Sequence, residues 1–292
     1  MEPVNLEGRV AVVTGASRGM GREIAIAYAK AGAKGVVVTA AAASDESKTE
    51  IENELAIVVD ELDHAGGAGI GLGVHADATS WQDCQSVAVQ TLEKFGALDI
   101  LYHNAGKSQR YHGERDIPFW QTDPEGWRLV MDTNVVGPYL MARAAIPKML
   151  EGGWGRIIIT TKNADSMHSR FAGAYGPSKP AVEAQAISWA EETVGTGVTV
   201  NTLSPGGAVR TKFGRGVIQD RGLQPDVIVP MALWLASAES DGVSGCRFDA
   251  KQWDHGLSNA EAAEGCRLVS LFPTARRETK LTTAWEPSDV MD

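Results

Sequence analysis

Positive charge is scarce in this chain: 27 Lys and Arg stand against 37 Asp and Glu, for a net charge of −10. That leaves no basic stripe to neutralise phosphates, so nucleic acid is not an expected partner. Cysteine is scarcer still. Cys84, Cys246 and Cys266 are far apart and form no CxxC pair, which excludes a zinc-ligand pattern and a disulfide framework. No run approaches the roughly eighteen consecutive apolar residues of a membrane-spanning helix. The opening Met1-Glu2-Pro3 has no basic segment followed by an apolar stretch, so the chain is read as cytoplasmic, with no membrane partner. Internal repeats and low-complexity linkers are missing as well.

What is present suits a folded domain with a large core: 292 residues, 43% hydrophobic and 22% charged. VAVVT (10–14) ends at Gly15, and a segment of helical spacing (22–31) follows the loop. The alternation repeats with strands at 36–39, 69–76, 99–103, 156–160, 198–203 and 245–250. Helices are expected across 46–65 and 80–95, from Asp123-Pro124 as one long helix to about 149, and at 175–193. Strand–helix alternation implies parallel strands with right-handed crossovers, hence a single doubly wound Rossmann-type α/β domain of about seven parallel strands with helices on both faces. Residues 1–252 are read as that domain and 253–292 as a C-terminal extension. Within the extension, Ser258 and Glu261 have capping-box spacing for a short helix that Gly265 would end, and the last stretch reads as an extended tail.

The chemistry-bearing motifs sit at the ends of these strands. TGASRGMG (14–21) sets Gly15, Gly19 and Gly21 between a strand and a helix, where missing side chains permit a tight turn and close approach of a phosphate to the helix N-terminus. Asp77-Ala78 follows the third strand, His103-Asn104-Ala105-Gly106 the fourth, and Ser204-Pro205-Gly206 the sixth. Tyr175 and Lys179, four apart, share one helix face and can address one substrate. A phenol of ordinary pKa about 10 needs a neighbouring cation before it exchanges protons readily near neutrality, and Lys179 supplies one.

These motifs, in this order, resemble the short-chain dehydrogenase/reductase family over residues 8 to about 250: TGxxxGxG, the NNAG motif with His103 for its first Asn, YxxxK at 175–179, and Asn134 where the family has its catalytic Asn. The resemblance implies a nicotinamide-dependent oxidoreductase acting between a carbonyl and an alcohol carbon of a small-molecule substrate. It implies cofactor contacts at Gly15, Ser17, Arg18, Gly19, Met20, Asp77, Ala78, Asn104, Ala105, Gly106, Tyr175, Lys179, Pro205, Gly206 and Thr211. It implies that Lys179 holds the nicotinamide ribose, that Asn134 anchors a water leading to Lys179, and that the helices near 125–149 and 175–193 join a homodimer or homotetramer. Thr39-Ala40-Ala41, where an NAD enzyme carries an acid, has none. With Arg18 in the loop and Ser44 and Lys48 beyond, NADP(H) is favoured over NAD(H), and Asp45 argues the other way.

Two departures stand out. Thirteen residues before Tyr175, where the family places its catalytic Ser, stands Lys162. Either Lys162 or the hydroxyl of Thr161 takes over the hydrogen bond to the substrate oxygen, with Thr160 and Asn163 adjacent. Two lysines near Tyr175 are expected to repel each other and to lower the tyrosine pKa. Because the serine is missing, the alternative function is a nucleotide-binding protein without redox turnover, a scaffold or sensor, or one with a non-redox catalytic role. Pro180 is the other departure, a mild one if the helix begins near Pro177. Tyr111, Phe119, Trp120 and Trp127 either pack their loop onto the domain or wall a site for an aromatic or bulky apolar substrate. His168 and Arg170 read as solvated charges, and Trp253, Leu268 and Phe272 suggest that the extension covers the cleft or a neighbouring subunit.

Overall fold

The computed structural model describes residues 3–113, 116–211, 213 and 222–272. The chain alternates β1 (Val10–Thr14), α1 (Gly19–Lys30), β2 (Gly35–Ala40), α2 (Lys48–Gly66), β3 (Gly71–His75), α3 (Trp81–Phe95) and β4 (Ile100–His103). It continues with α4 (Pro124–Met131), α5 (Gly137–Gly152), β5 (Gly155–Thr160), the short α6 (Ala164–Met167), α7 (Tyr175–Glu192), β6 (Val198–Ser204), α8 (Val229–Ala236), β7 (Arg247–Asp249), α9 (Asn259–Cys266) and β8 (Arg267–Leu268). The strands form one sheet in the order β3-β2-β1-β4-β5-β6-β7-β8. Seven run parallel, as the alternation predicts, and β8 adds an antiparallel edge with Arg247 opposite Leu268.

Successive residues of a strand face opposite sides, and β1 shows how this fills two cores. Ala11 and Val13 pack with Ile24 of α1, Leu55 of α2 and Leu235 of α8. Val10 and Val12 pack with Val87 of α3, Met141 of α5 and Val182 of α7. Strands covered on both faces need no polar alternation, which is why VAVVT and RIIIT are almost unbroken apolar runs. Strand order reverses between β1 and β4, so the loops after these two strands diverge and leave a crevice beyond the sheet's C-terminal edge.

Three expectations change. The long helix from Asp123 is interrupted: Asp123 caps α4 by accepting from Gly126 N–H at 2.8 Å, but residues 132–136 form a π-helical turn before α5. Helix α7 begins at Tyr175, not Pro177, so Pro180 lies in its second turn and deprives the Gly176 carbonyl of an intrahelical partner. The capping box of Ser258 and Glu261 forms, and the helix runs past Gly265 to Cys266. In the extension, Trp253, Ala262, Ala263 and Cys266 are buried in the α1–α8 core, whereas the final stretch from 273 lies outside the described residues.

Candidate active site

The glycine loop takes its shape from positions where no side chain fits. Gly15 and Gly19 have φ of +63° and +61°, a region that L-residues with side chains rarely adopt. A Cβ on Gly15 would stand 2.8 Å from Ala105 Cα, and one on Gly21 2.6 Å from the Gly15 carbonyl oxygen. Asn104 ties the two loops together: its Nδ2 donates to Gly15 O at 2.9 Å, while its own N–H donates to Thr14 Oγ1 at 3.2 Å. The crevice so formed opens into a cavity of about 710 Å³ running from the glycine loop past Asp77, Ala78 and Asn104–Gly106 to Tyr175.

At the Tyr175 end two amines approach one ring. Lys162 Nζ lies 4.7 Å and Lys179 Nζ 5.6 Å from the Tyr175 ring centroid. Lys179 Nζ donates to Thr160 O at 2.9 Å and Lys162 Nζ to Ser166 O at 2.9 Å. Burial lowers both amines to about 8, and for Lys179 the charge of Lys162 adds to the lowering while Glu183 opposes it. Burial pushes the Tyr175 phenol up to about 12. The expected lowering of the tyrosine is therefore wrong: desolvation of the phenolate outweighs the neighbouring ammonium groups.

Thr161 is occupied elsewhere. Its Oγ1 donates to Glu183 Oε1 at 2.6 Å in a buried pair, as strand alternation would have it facing away from Lys162. Asn163 is also engaged, donating to Gly206 O at 3.1 Å and accepting from Ser204 Oγ at 2.8 Å. Asn134, in the π-helical turn, is buried behind the cavity wall. Its Oδ1 accepts from Lys107 N–H at 2.7 Å and its Nδ2 donates to Lys107 O and to Ser178 Oγ. The amide four residues on, which in an α-helix would bond the Asn134 carbonyl, is missing because residue 138 is proline.

The short chain dehydrogenase family profile matches residues 9–222. The chain belongs to this family. It is 29% identical to the short chain dehydrogenase mpl6 of Monascus purpureus over 85% of this chain and 82% of that one. To the peroxisomal multifunctional enzyme type 2 of Drosophila melanogaster it is 34% identical over 81% of its own length, spanning only 38% of that larger protein. A short chain dehydrogenase of Shigella flexneri solved in complex with NADP superposes with a TM-score of 0.73 at 27% identity, covering 86% of this chain and all of that one (100%). The protein is accordingly an NAD(P)-dependent dehydrogenase/reductase with a Rossmann-type fold.

In this dehydrogenase most of the residues singled out from sequence line this cavity: Gly15, Ser17, Arg18, Gly19 and Met20 at one end with Thr211 beside Gly19, and Thr161, Lys162, Tyr175, Lys179 and Pro205 further on. Gly206 does not; it has φ +83° in the turn, and Gly207 faces the cavity instead. Ser44 and Lys48 are not on the wall, and Arg18 is paired with Glu54 of α2 at 3.0 Å, so the cation count near a 2′-phosphate is smaller than the sequence suggested. Of the four aromatics only Tyr111 lines the cavity, and Phe119 and Trp120 are 73% and 72% exposed, neither packing their loop nor walling the site. His168 and Arg170 are exposed, while Trp253, Leu268 and Phe272 stand away from the cavity. Sequence reasoning missed Lys107, Arg110 and Ser166 on the wall and the buried pair Glu183–Arg247 behind it. Glu183 could have been flagged, being four residues after Lys179 on the same helix face.

Proposed function

We propose that this dehydrogenase uses NADP(H) on a carbonyl or alcohol carbon of a small molecule, with Tyr175 as the proton-transferring group and Lys162 in the place of the family's hydroxyl donor. The observation that carries the reading is the convergence of Lys162 and Lys179 on the Tyr175 ring in the same cavity that begins at the glycine loop. The loop fits a dinucleotide, since at Gly15 and Gly21 a Cβ would close the crevice. Ser17, Arg18, Gly19 and Met20 would hold its phosphates, Asp77 and Ala78 its adenine end, and Asn104–Gly106, Lys179, Pro205 and Thr211 its nicotinamide half. When bound, the nicotinamide supplies or takes up hydride at the substrate carbon.

Everything else is done by side chains. In reduction, Tyr175 gives its proton to the substrate oxygen; its raised pKa keeps it protonated through the neutral range, and the ammonium groups beside its ring partly offset the weaker acidity that burial brings. Lys162 donates to the same oxygen, where an ammonium stabilises developing alkoxide charge. Lys179 stands behind Tyr175 to renew the proton, and the Asn134 carbonyl, which Pro138 deprives of its α-helical amide, is the natural anchor for a water next in line. NADP(H) is preferred because the end of β2 (Thr39, Ala40) and the following Ala41 carry no acid and Arg18 stands at the rim, provided a 2′-phosphate draws Arg18 from Glu54.

The same reading makes the protein a homodimer or homotetramer through α4 and α5, whose Leu129 and Tyr139 are exposed together with Val136 between them. The test is oxidation of NADPH and NADH against a panel of ketones, aldehydes and oxo acids, with Tyr175→Phe as control. Oxidation of NADPH that vanishes in the Phe variant supports the assignment. Turnover that survives it removes Tyr175 from the mechanism.

A further inference from the structure

Lys162 is an unusual occupant of its position for an electrostatic reason. A half-buried ammonium in a cavity normally finds a carboxylate, because leaving a charge both desolvated and unpaired is costly. Among the described residues no carboxylate lies within ion-pair distance of Lys162. Glu183, the buried acid behind the site, is committed: it accepts from Thr161 Oγ1 at 2.6 Å and from Arg247 Nε at 2.9 Å. Asp165, the acid nearest in sequence, is exposed at the start of α6.

The segment bearing Lys162 is also held still. Arg247 Nη2 donates to Lys162 O at 2.9 Å, and Thr161 N–H donates to Leu203 O at 2.9 Å. The ammonium therefore reaches the cavity from a fixed backbone. Of its three N–H donors one is used by Ser166 O, which leaves two for a ligand. A neutral ketone presents one oxygen and no charge. Two oxygens, one of them negative, match what is left over. The wall agrees: Lys107 lines the cavity as well, and of the two acids among its lining residues Asp77 stands after β3 and Asp165 is exposed, in a chain whose overall charge is −10. A cationic pocket in an acidic protein selects for anions and against neutral analogues.

We infer that the substrate carries a carboxylate one or two carbons from the reacting carbonyl, as a 2-oxo or 3-oxo acid does, and that Lys162 reads both a carboxylate oxygen and the carbonyl oxygen at once. This rests on the oxidoreductase reading above and adds the substrate class. Tyr175 still delivers the proton to the carbonyl oxygen; the second oxygen stays on Lys162 throughout.

The experiment compares matched pairs with NADPH: phenylpyruvate against its methyl ester, and 3-oxo-3-phenylpropanoate against its ethyl ester. The expected result is a kcat/KM at least about tenfold higher for the charged member, the ratio expected of a charge-assisted contact, collapsing to within about twofold in Lys162→Met. The first pair reports a carboxylate next to the reacting carbonyl and the second a carboxylate one carbon further away. Esters turned over as well as acids would overturn the substrate class while leaving the oxidoreductase reading intact, as would an acid preference that persists in Lys162→Met. Should no carbonyl compound be turned over, the oxidoreductase reading fails and calorimetry decides the inference alone, with malonate and malonamide titrated into the wild-type and Lys162→Met proteins. Malonate binding that exceeds malonamide binding and is lost with Lys162 supports the anion site, and equal or absent binding refutes it.

Discussion

Thr161 Oγ1 donates to Glu183 Oε1 at 2.6 Å, and this one bond separates the two candidates for the missing serine. A hydroxyl already committed to a buried carboxylate is a poor donor to substrate, whereas Lys162 has donors to spare. Lys162→Ala is therefore expected to lose at least tenfold in kcat, and Lys162→Ser to recover much of it. Thr161→Val should keep most of its turnover but lose stability by about 1 to 3 kcal/mol, because Glu183 would be left with an unmet acceptor. Steady-state kinetics beside thermal melts of the three variants check this; a Val variant that is stable but inactive would make Thr161 the donor.

Tyr175→Phe removes the transferable proton without touching the glycine loop. Turnover should drop by roughly 10² to 10⁴ while NADPH affinity, measured by fluorescence titration, changes by no more than a few-fold.

The pH dependence follows from burial. With Lys179 lowered to about 8, the charge beside Tyr175 is present below that pH and lost above it, so activity should decline on the alkaline side of about 8. Lys162, Glu183, His103 and Tyr175 are the titratable neighbours. Removing the repulsion in Lys162→Met should raise Lys179 and carry the alkaline limb to higher pH. For stability the sign is opposite. Both lysines have folded pKa values below their unfolded value of 10.5, so they make stability rise with pH from about 8, until above pH 9 the buried Cys84 and Cys266 thiols, raised from 9 to about 12, oppose them. Tyr175, raised from 10 to about 12, reverses the trend above pH 10. Urea titrations at pH 7, 9 and 11 test both slopes.

Cofactor choice turns on Arg18 and Glu54. Arg18→Ala should weaken NADPH by roughly ten- to a hundredfold and NADH far less, as expected for loss of a charge-assisted bond. Glu54→Gln frees Arg18 and should tighten NADPH; equal effects on both nucleotides would remove Arg18 from phosphate recognition.

The strands and the glycine loop were legible because their signals are local: VAVVT followed by TGASRGMG needs only short windows. Tyr175 and Lys179 were legible through helical spacing. What escaped is long-range or backbone-borne. The Glu183–Arg247 pair joins α7 to β7 across 64 residues, and nothing near either residue announces the other. The Arg18–Glu54 pair joins the glycine loop to α2 in the same way. The π-helical turn at 132–136 hid because one extra residue in a helical ladder leaves no period of its own, and the weak helix formers Asp-Thr-Asn-Val-Val with Pro138 beyond were its only signs. Strand β8 is two residues long, too short for any period to register.

That short strand has a consequence for how copies of the chain can meet. An open parallel sheet offers its outermost strand as a template on which a neighbour's backbone can continue the ladder. Here Arg267 and Leu268 fold back over Phe248 and Arg247, delivered by the capped helix α9, whose inner face is anchored in the core by Ala262, Ala263 and Cys266. A neighbour seeking to extend the sheet beyond β7 would have to peel away this return segment together with the helix that carries it. Side-by-side sheet extension is blocked at that border, and what it finds instead is a ledge two residues wide.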